Sequence, residues 1–202
     1  DREEARDVSN EHPEIAARLR GAYAKWLAEV TRDLTFEPPP IRLSGGRPVE
    51  IQASWARLDG THTTWASPGG RQTSGPDALG DPKAKTTLNY TFAGYDWDTL
   101  DGWSRPGESA WWAIEVAEPG RYEVVAEYGC DPRDAGGALR LAAGAAELVV
   151  PVEATAGRAV FERRRLGVID LQAGPAKLTA EVVRAPGKEL MSLNKLHLRR
   201  IE

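Results

Sequence analysis

The sequence predicts a mainly β protein, with one N-terminal amphipathic α-helix followed by an antiparallel jelly-roll-type β-sandwich. Apolar residues between Ile15 and Val30 recur at helical spacing. From about residue 87, short strand-like runs alternate with Gly and Pro turn signals. Between these regions, Pro68, Gly69, Gly70, Gly75, Pro76, Gly80 and Pro82 fall in a stretch without periodicity, the mark of a loop. The expected organisation is a helix and Pro-rich exit over 1–40, an irregular linker with short strands over 41–86, and a β-sandwich module over 87–202.

The helix carries Ile15, Leu19, Tyr23, Trp26, Leu27 and Val30 on one stripe, with Arg18, Arg20, Lys25 and Glu29 on the other faces. Ser9 or Asn10 is suited to cap it, and Glu11, Pro13 and Glu14 suit a first turn. Pro38, Pro39 and Pro40 then impose an extended exit. Ile41–Leu43 and Val49–Ala53 read as short strands, followed by a stretch bearing Trp55 and Trp65. The sandwich strands are expected at Trp111–Ala117, Arg121–Tyr128, Ala138–Ala142, Glu147–Val152, Ala159–Phe161, Leu166–Leu171, Lys177–Val183 and Leu193–Ile201.

Composition narrows the function classes. A net charge of −4 over 202 residues gives no global electrostatic reason to bind nucleic acid. No apolar run approaches the roughly 18 residues of a membrane span. One cysteine, Cys130, excludes an internal disulfide and a cysteine-based metal cluster. His12, His62 and His197 accompany no nucleophile elbow and form no zinc-spaced pair, so the chain is assigned no catalytic and no metal-ligating residue. Seven Trp against three Phe is a bias towards aromatics that can pack or present a platform.

Asp1, Glu3, Glu4, Asp7-Val8, His12-Pro13-Glu14, Leu19, Tyr23 and Trp26 resemble the close of a sulfatase catalytic region, and Pro39-Pro40-Ile41-Arg42-Leu43 resembles its exit. The run Trp112, Ile114, Val116, Gly120, Tyr122, Val124 and Tyr128 resembles the β-sandwich modules that follow bacterial sulfatases and some glycoside hydrolases. Leu166-Gly167, Leu171, Ala173-Gly174, Leu178, Met191, Leu196 and Leu198 extend that likeness. The resemblance implies a non-catalytic C-terminal portion of an exported sulfatase-like hydrolase that cleaves sulfate esters. It also implies a partner catalytic domain upstream, holding formylglycine and a divalent cation such as Ca²⁺, with no cofactor in this chain. The start at Asp1 fits the same expectation of a fragment. Cys130-Asp131-Pro132-Arg133-Asp134 departs from the formylglycine motif by placing Asp134 where Arg is required, which makes Cys130 a structural cysteine. The alternatives are a self-standing carbohydrate-binding module and a purely structural domain.

The candidate polysaccharide contacts are Tyr95, Asp96, Trp97, Trp103 and Trp111. Tyr95-Asp96-Trp97-Asp98, with Asp101 and Trp103, interleaves rings for stacking with carboxylates that can accept sugar hydroxyls or hold Ca²⁺. The same residues also suit a plug at the sandwich end. Period-2 alternation puts Trp112, Ile114 and Val116 in the core and sends Trp111 outward, either as a platform or beneath the 54–66 segment. Lys195, His197 and Arg199 alternate with Leu196 and Leu198, and are expected to form an exposed basic, anion-binding stripe; Arg163-Arg164-Arg165 is a second basic run.

Overall fold

The computed structural model describes residues 7–30, 39–58, 71–73, 87–91 and 93–202. Residues 1–4 of the sulfatase-like motif, Pro38, most of the 67–86 loop, and Trp65 and His62 within the 54–66 segment lie outside the described residues. The chain forms two compact units, residues 1–39 and 40–202.

The first unit contains α1, Pro13–Val30. It begins later than a cap at Ser9 or Asn10 implies. Pro13 takes the first helical position, where its missing N–H costs nothing, and Ala16 N donates to His12 O at 3.0 Å. Ser9 N instead donates to Asp7 Oδ1, a local turn ahead of the helix. No residue of α1 is buried, and the Tyr23 and Trp26 rings lie 5.7 Å apart on its surface.

The second unit is a two-sheet sandwich. Its strands are β1 (Ile41–Leu43), β2 (Val49–Gln52), β3 (Arg57–Leu58), β4 (Arg71–Thr73), β5 (Asn89–Thr91), β6 (Thr99–Asp101) and β7 (Ser109–Val116). They continue with β8 (Gly120–Gly129), β9 (Gly137–Ala143), β10 (Ala146–Val152), β11 (Glu162–Leu171), β12 (Gly174–Arg184) and β13 (Ser192–Arg200). One sheet runs β1-β7-β12-β9-β10, with β3 also on β7; the other runs β11-β8-β13-β6-β5-β4, with β2 also on β13. The segment read as an irregular linker with short strands therefore supplies β1, β2, β3 and β4 to the sheets. β1 pairs in parallel with β7.

Alternation sorts the side chains as the sequence implies. Trp112, Ile114 and Val116 of β7 and Tyr122, Val124, Ala126 and Tyr128 of β8 point into the core. The large aromatics there also satisfy their polar tips. Trp112 Nε1 donates to Gln52 O, Trp103 Nε1 to Leu100 O, Tyr90 Oη to Ala56 O and Tyr122 Oη to Glu118 O. Residues 159–161, expected as a strand, instead complete and follow a turn over 157–160, closed by Val160 N donating to Gly157 O. β11 starts instead at Glu162 and takes in the Arg163–Arg165 run, because Arg163 finds Glu127 opposite it on β8 and Arg165 reaches Glu123 diagonally.

Candidate functional site

The site is built around β13, which changes neighbour part-way along one edge. Leu193 pairs with Leu100 of β6, whereas Lys195–Leu198 pair with Gln52–Val49 of β2. On its other edge the register to β8 jumps from Leu193 opposite Tyr128 to Lys195 opposite Glu127. Asn194 is the extra residue of this bulge, and bulges re-aim side chains at the point where they occur. Two short 3-10 turns border the place. Ala53–Trp55 follows β2 directly, and Tyr95–Trp97 precedes β6.

Asn194 is buried, and its Nδ2 donates to Asp96 O at 2.6 Å and Asp98 O at 2.9 Å. From within the loop, Asp98 Oδ1 accepts from Ala93 N and Gly94 N, both at 3.0 Å. Gly94 has φ +96°, a conformation that favours glycine. These bonds hold the turn that carries Trp97, whose side chain is 66% exposed. Trp55, on the neighbouring turn, is also exposed. Asp96, the residue before Trp97 on this turn, faces Lys195 Nζ at 3.2 Å and Gln52 Nε2 at 3.4 Å, so the turn that presents the indole also carries a carboxylate paired with an ammonium group. The arrangement can stack a flat apolar surface while accepting and donating hydrogen bonds at its rim.

The expected basic stripe is corrected. Lys195 and His197 are buried and only Arg199 is exposed, because β13 is an interior strand with acidic side chains on both sides. Lys195 lies 3.6 Å from Glu50, and His197 lies between Glu50 at 3.8 Å and Glu127 at 3.5 Å. Arg199 meets Glu123 at 2.7 Å. Arg165 and Arg163 on β11 bond Glu123 and Glu127 from the far side, each at 2.8 Å. The hydrogen bonds from Arg165 and Arg199 hold the Glu123 carboxyl below the usual range. Burial pushes the Glu127 carboxyl up, but Arg163, His197 and Lys195 outweigh it and hold it low. Charge therefore alternates by strand, basic on β11 and β13, acidic on β8 and β2.

The other expected contacts divide. Asp96 and Trp97 stand at the surface, and the Tyr95 side chain lies outside the described residues. Trp103 is fully buried and plugs the core next to β6, so it is corrected from a contact to a packing residue. Trp111 is half-buried, with Arg57 Cζ 5.1 Å and Lys177 Nζ 4.0 Å from its ring centroid. Those cations occupy the ring that an open platform would offer. Asp96, Asp98 and Asp101 do not converge as Ca²⁺ ligands. Asp101 is buried, accepting from Ser192 Oγ and Thr99 Oγ1, while Asp98 is used by its own loop. Cys130 is buried, and desolvation, then Asp134 and Asp131, push its thiol up, away from nucleophile chemistry. Sequence reasoning missed Glu50, Gln52, Trp55 and Asn194 as site residues. Only Trp55 had a local signal.

No family model matches the chain, and no curated protein matches it. Among solved structures, the chain is similar to the family 35 carbohydrate-binding module from Clostridium thermocellum, with a TM-score of 0.52 at 13% identity over 77% of this chain and 100% of that one. A family 35 module from Cellvibrio japonicus gives 0.49 at 15% identity over 74% of this chain and 92% of that one. A module of Cellvibrio mixtus lichenase 5A, solved with cellotriose, gives 0.46 at 14% identity over 76% and 98%. The first of these likenesses shows the fold: the chain has the sandwich architecture of a carbohydrate-binding module. No helix among the described residues is long and apolar enough to cross a membrane.

Proposed function

We propose that residues 40–202 act as a carbohydrate-binding module, with Trp97 as the stacking surface for a sugar ring. The observation that carries this is the 66% exposed Trp97 side chain on a turn fixed by Asn194 and Asp98. A solvated aromatic of this size is normally folded inward, and one on a turn tied down by four hydrogen bonds is preorganised for contact. Asp96, on the same turn, and its partner Gln52 supply hydrogen-bonding groups. Affinity electrophoresis in gels containing individual polysaccharides tests the reading. Trp97→Ala is expected to weaken retention about tenfold or more, equivalent to about 1.4 kcal/mol, with the melting temperature preserved. Retention by Trp97→Ala equal to that of the parent chain would remove the assignment.

A second reading, supported by the sequence resemblance of residues 1–43, is that this module serves an exported sulfatase-like hydrolase that cleaves sulfate esters. Its test is the coding sequence ahead of Asp1. A formylglycine-type motif there supports the partnership, and an unrelated domain ends it.

A further inference from the structure

We infer that the ligand of the Trp97 site is an uncharged polysaccharide and that binding is insensitive to salt. This rests on the carbohydrate-binding reading above and adds the charge class of the sugar. A strand bearing Lys195, His197 and Arg199 beside an Arg163–Arg165 run invites the opposite conclusion, an anionic polymer drawn in by positive potential.

The geometry removes that potential. On the outer face of the sheet, the fixed cations Arg163, Arg165, Lys195 and Arg199 are matched by the carboxylates of Glu50, Asp96, Glu123 and Glu127. His197 is shared between Glu50 and Glu127. Opposite charges across neighbouring strands cancel within one contact distance, so little field reaches an approaching polymer.

The distribution next to Trp97 goes further. The Lys195 side chain is only 7% exposed, whereas those of Glu50 and Asp96 are 51% and 74% exposed. Solvent at the turn that carries Trp97 therefore meets carboxylates before it meets the ammonium group. A sulfate or uronate there faces like charge, and it could reach Lys195 only by displacing an existing partner. A neutral pyranose faces no such cost. Its hydroxyls can donate to Asp96, an acceptor-only group, while its apolar face stacks on Trp97.

The test uses the full chain in affinity gels made with neutral β-glucan, xylan, mannan or galactan, each beside its chemically sulfated derivative, at low salt and at about 1 M salt, where the screening length falls to about 3 Å. The expected result is retardation by a neutral polymer, changing less than about twofold with salt and lost in Trp97→Ala, with no gain from sulfation. The double variant Glu50→Gln, Asp96→Asn is expected to acquire binding to the sulfated form of that polymer, and that binding should fall with salt. Preference of the unmutated chain for sulfated polymers, lost at high salt, overturns the charge assignment and leaves carbohydrate binding standing. Retardation by none of the polymers overturns both.

Discussion

Asn194 shows how one residue can set a surface. Its side-chain amide spends both N–H groups on the carbonyls of Asp96 and Asp98, and its backbone is the extra residue where β13 slips against β8. Asn194→Ala leaves two carbonyls without their donor, a cost of about 1–3 kcal/mol each where water cannot replace it. The Trp97 turn then loses its tie to the sheet. Sugar affinity is expected to fall about tenfold, and the melting temperature by about 2–8 °C. Isothermal titration and thermal melts of the same preparation check this, and a drop in melting temperature without any loss of affinity would refute the positioning role. None of this was legible locally. An Asn before Lys-Leu-His-Leu looks like a strand start, and the carbonyls it serves lie 96 and 98 positions away in the chain.

At the scale of elements, legibility follows the range of the interactions. β7 and β8 were readable because alternation is local: Trp112, Ile114 and Val116 announce their face within the strand itself. On β13 the alternation was right for Leu196 and Leu198, but the burial of Lys195 and His197 depends on β2 and β8, which no reading of one strand supplies. β5 and β6 were missed because three-residue strands carry too little pattern, and Trp103 was misplaced with them. Ser104–Glu108, leading into β7, is another long-range device. Glu108 is buried and accepts from Thr87 N, Ser104 N and Arg105 N, with Arg105 Nη2 at 2.9 Å. Burial pushes its carboxyl up, yet the donors of Thr87 and Arg105 outweigh this and hold it below its ordinary value of 4.5. With the folded value below the unfolded one, the stabilisation is complete above the unfolded value and fades as pH falls through the folded one. Melting temperatures between about pH 5 and about pH 3 should therefore fall more steeply for the parent chain than for Glu108→Gln. Parallel curves would show that Glu108 contributes nothing to the acid limb.

For the whole molecule, the core drawn from the described residues lies entirely within the second unit, from Leu43 to Leu198. Residues 40–202 alone are accordingly expected to fold and to melt within about 2 °C of the full chain, as calorimetry can show; a large drop would mean that α1 contributes to the sandwich. The fold class was legible from the spacing of turns and alternating runs. The assignment of 41–86 to a linker was not a failure of pattern: β1 and β2 look like isolated fragments until their partners, β7 and β13, are known.

The central place of β13 also has a consequence for biosynthesis. β2 emerges from the ribosome near residue 50, but its hydrogen-bonding partner runs from Lys195 to Leu198. At typical elongation speeds of about 5–20 residues per second, β2 waits roughly 7–30 s for that partner. Once made, β6 and β8 also lack the strand that joins them until β13 follows. The sheet that carries the Trp97 turn therefore closes only when the last of these strands is released, however early the others are made. Nascent chains arrested before Ser192 should be cut rapidly by protease within β8, and chains arrested far enough beyond Arg200 to clear the exit tunnel should resist.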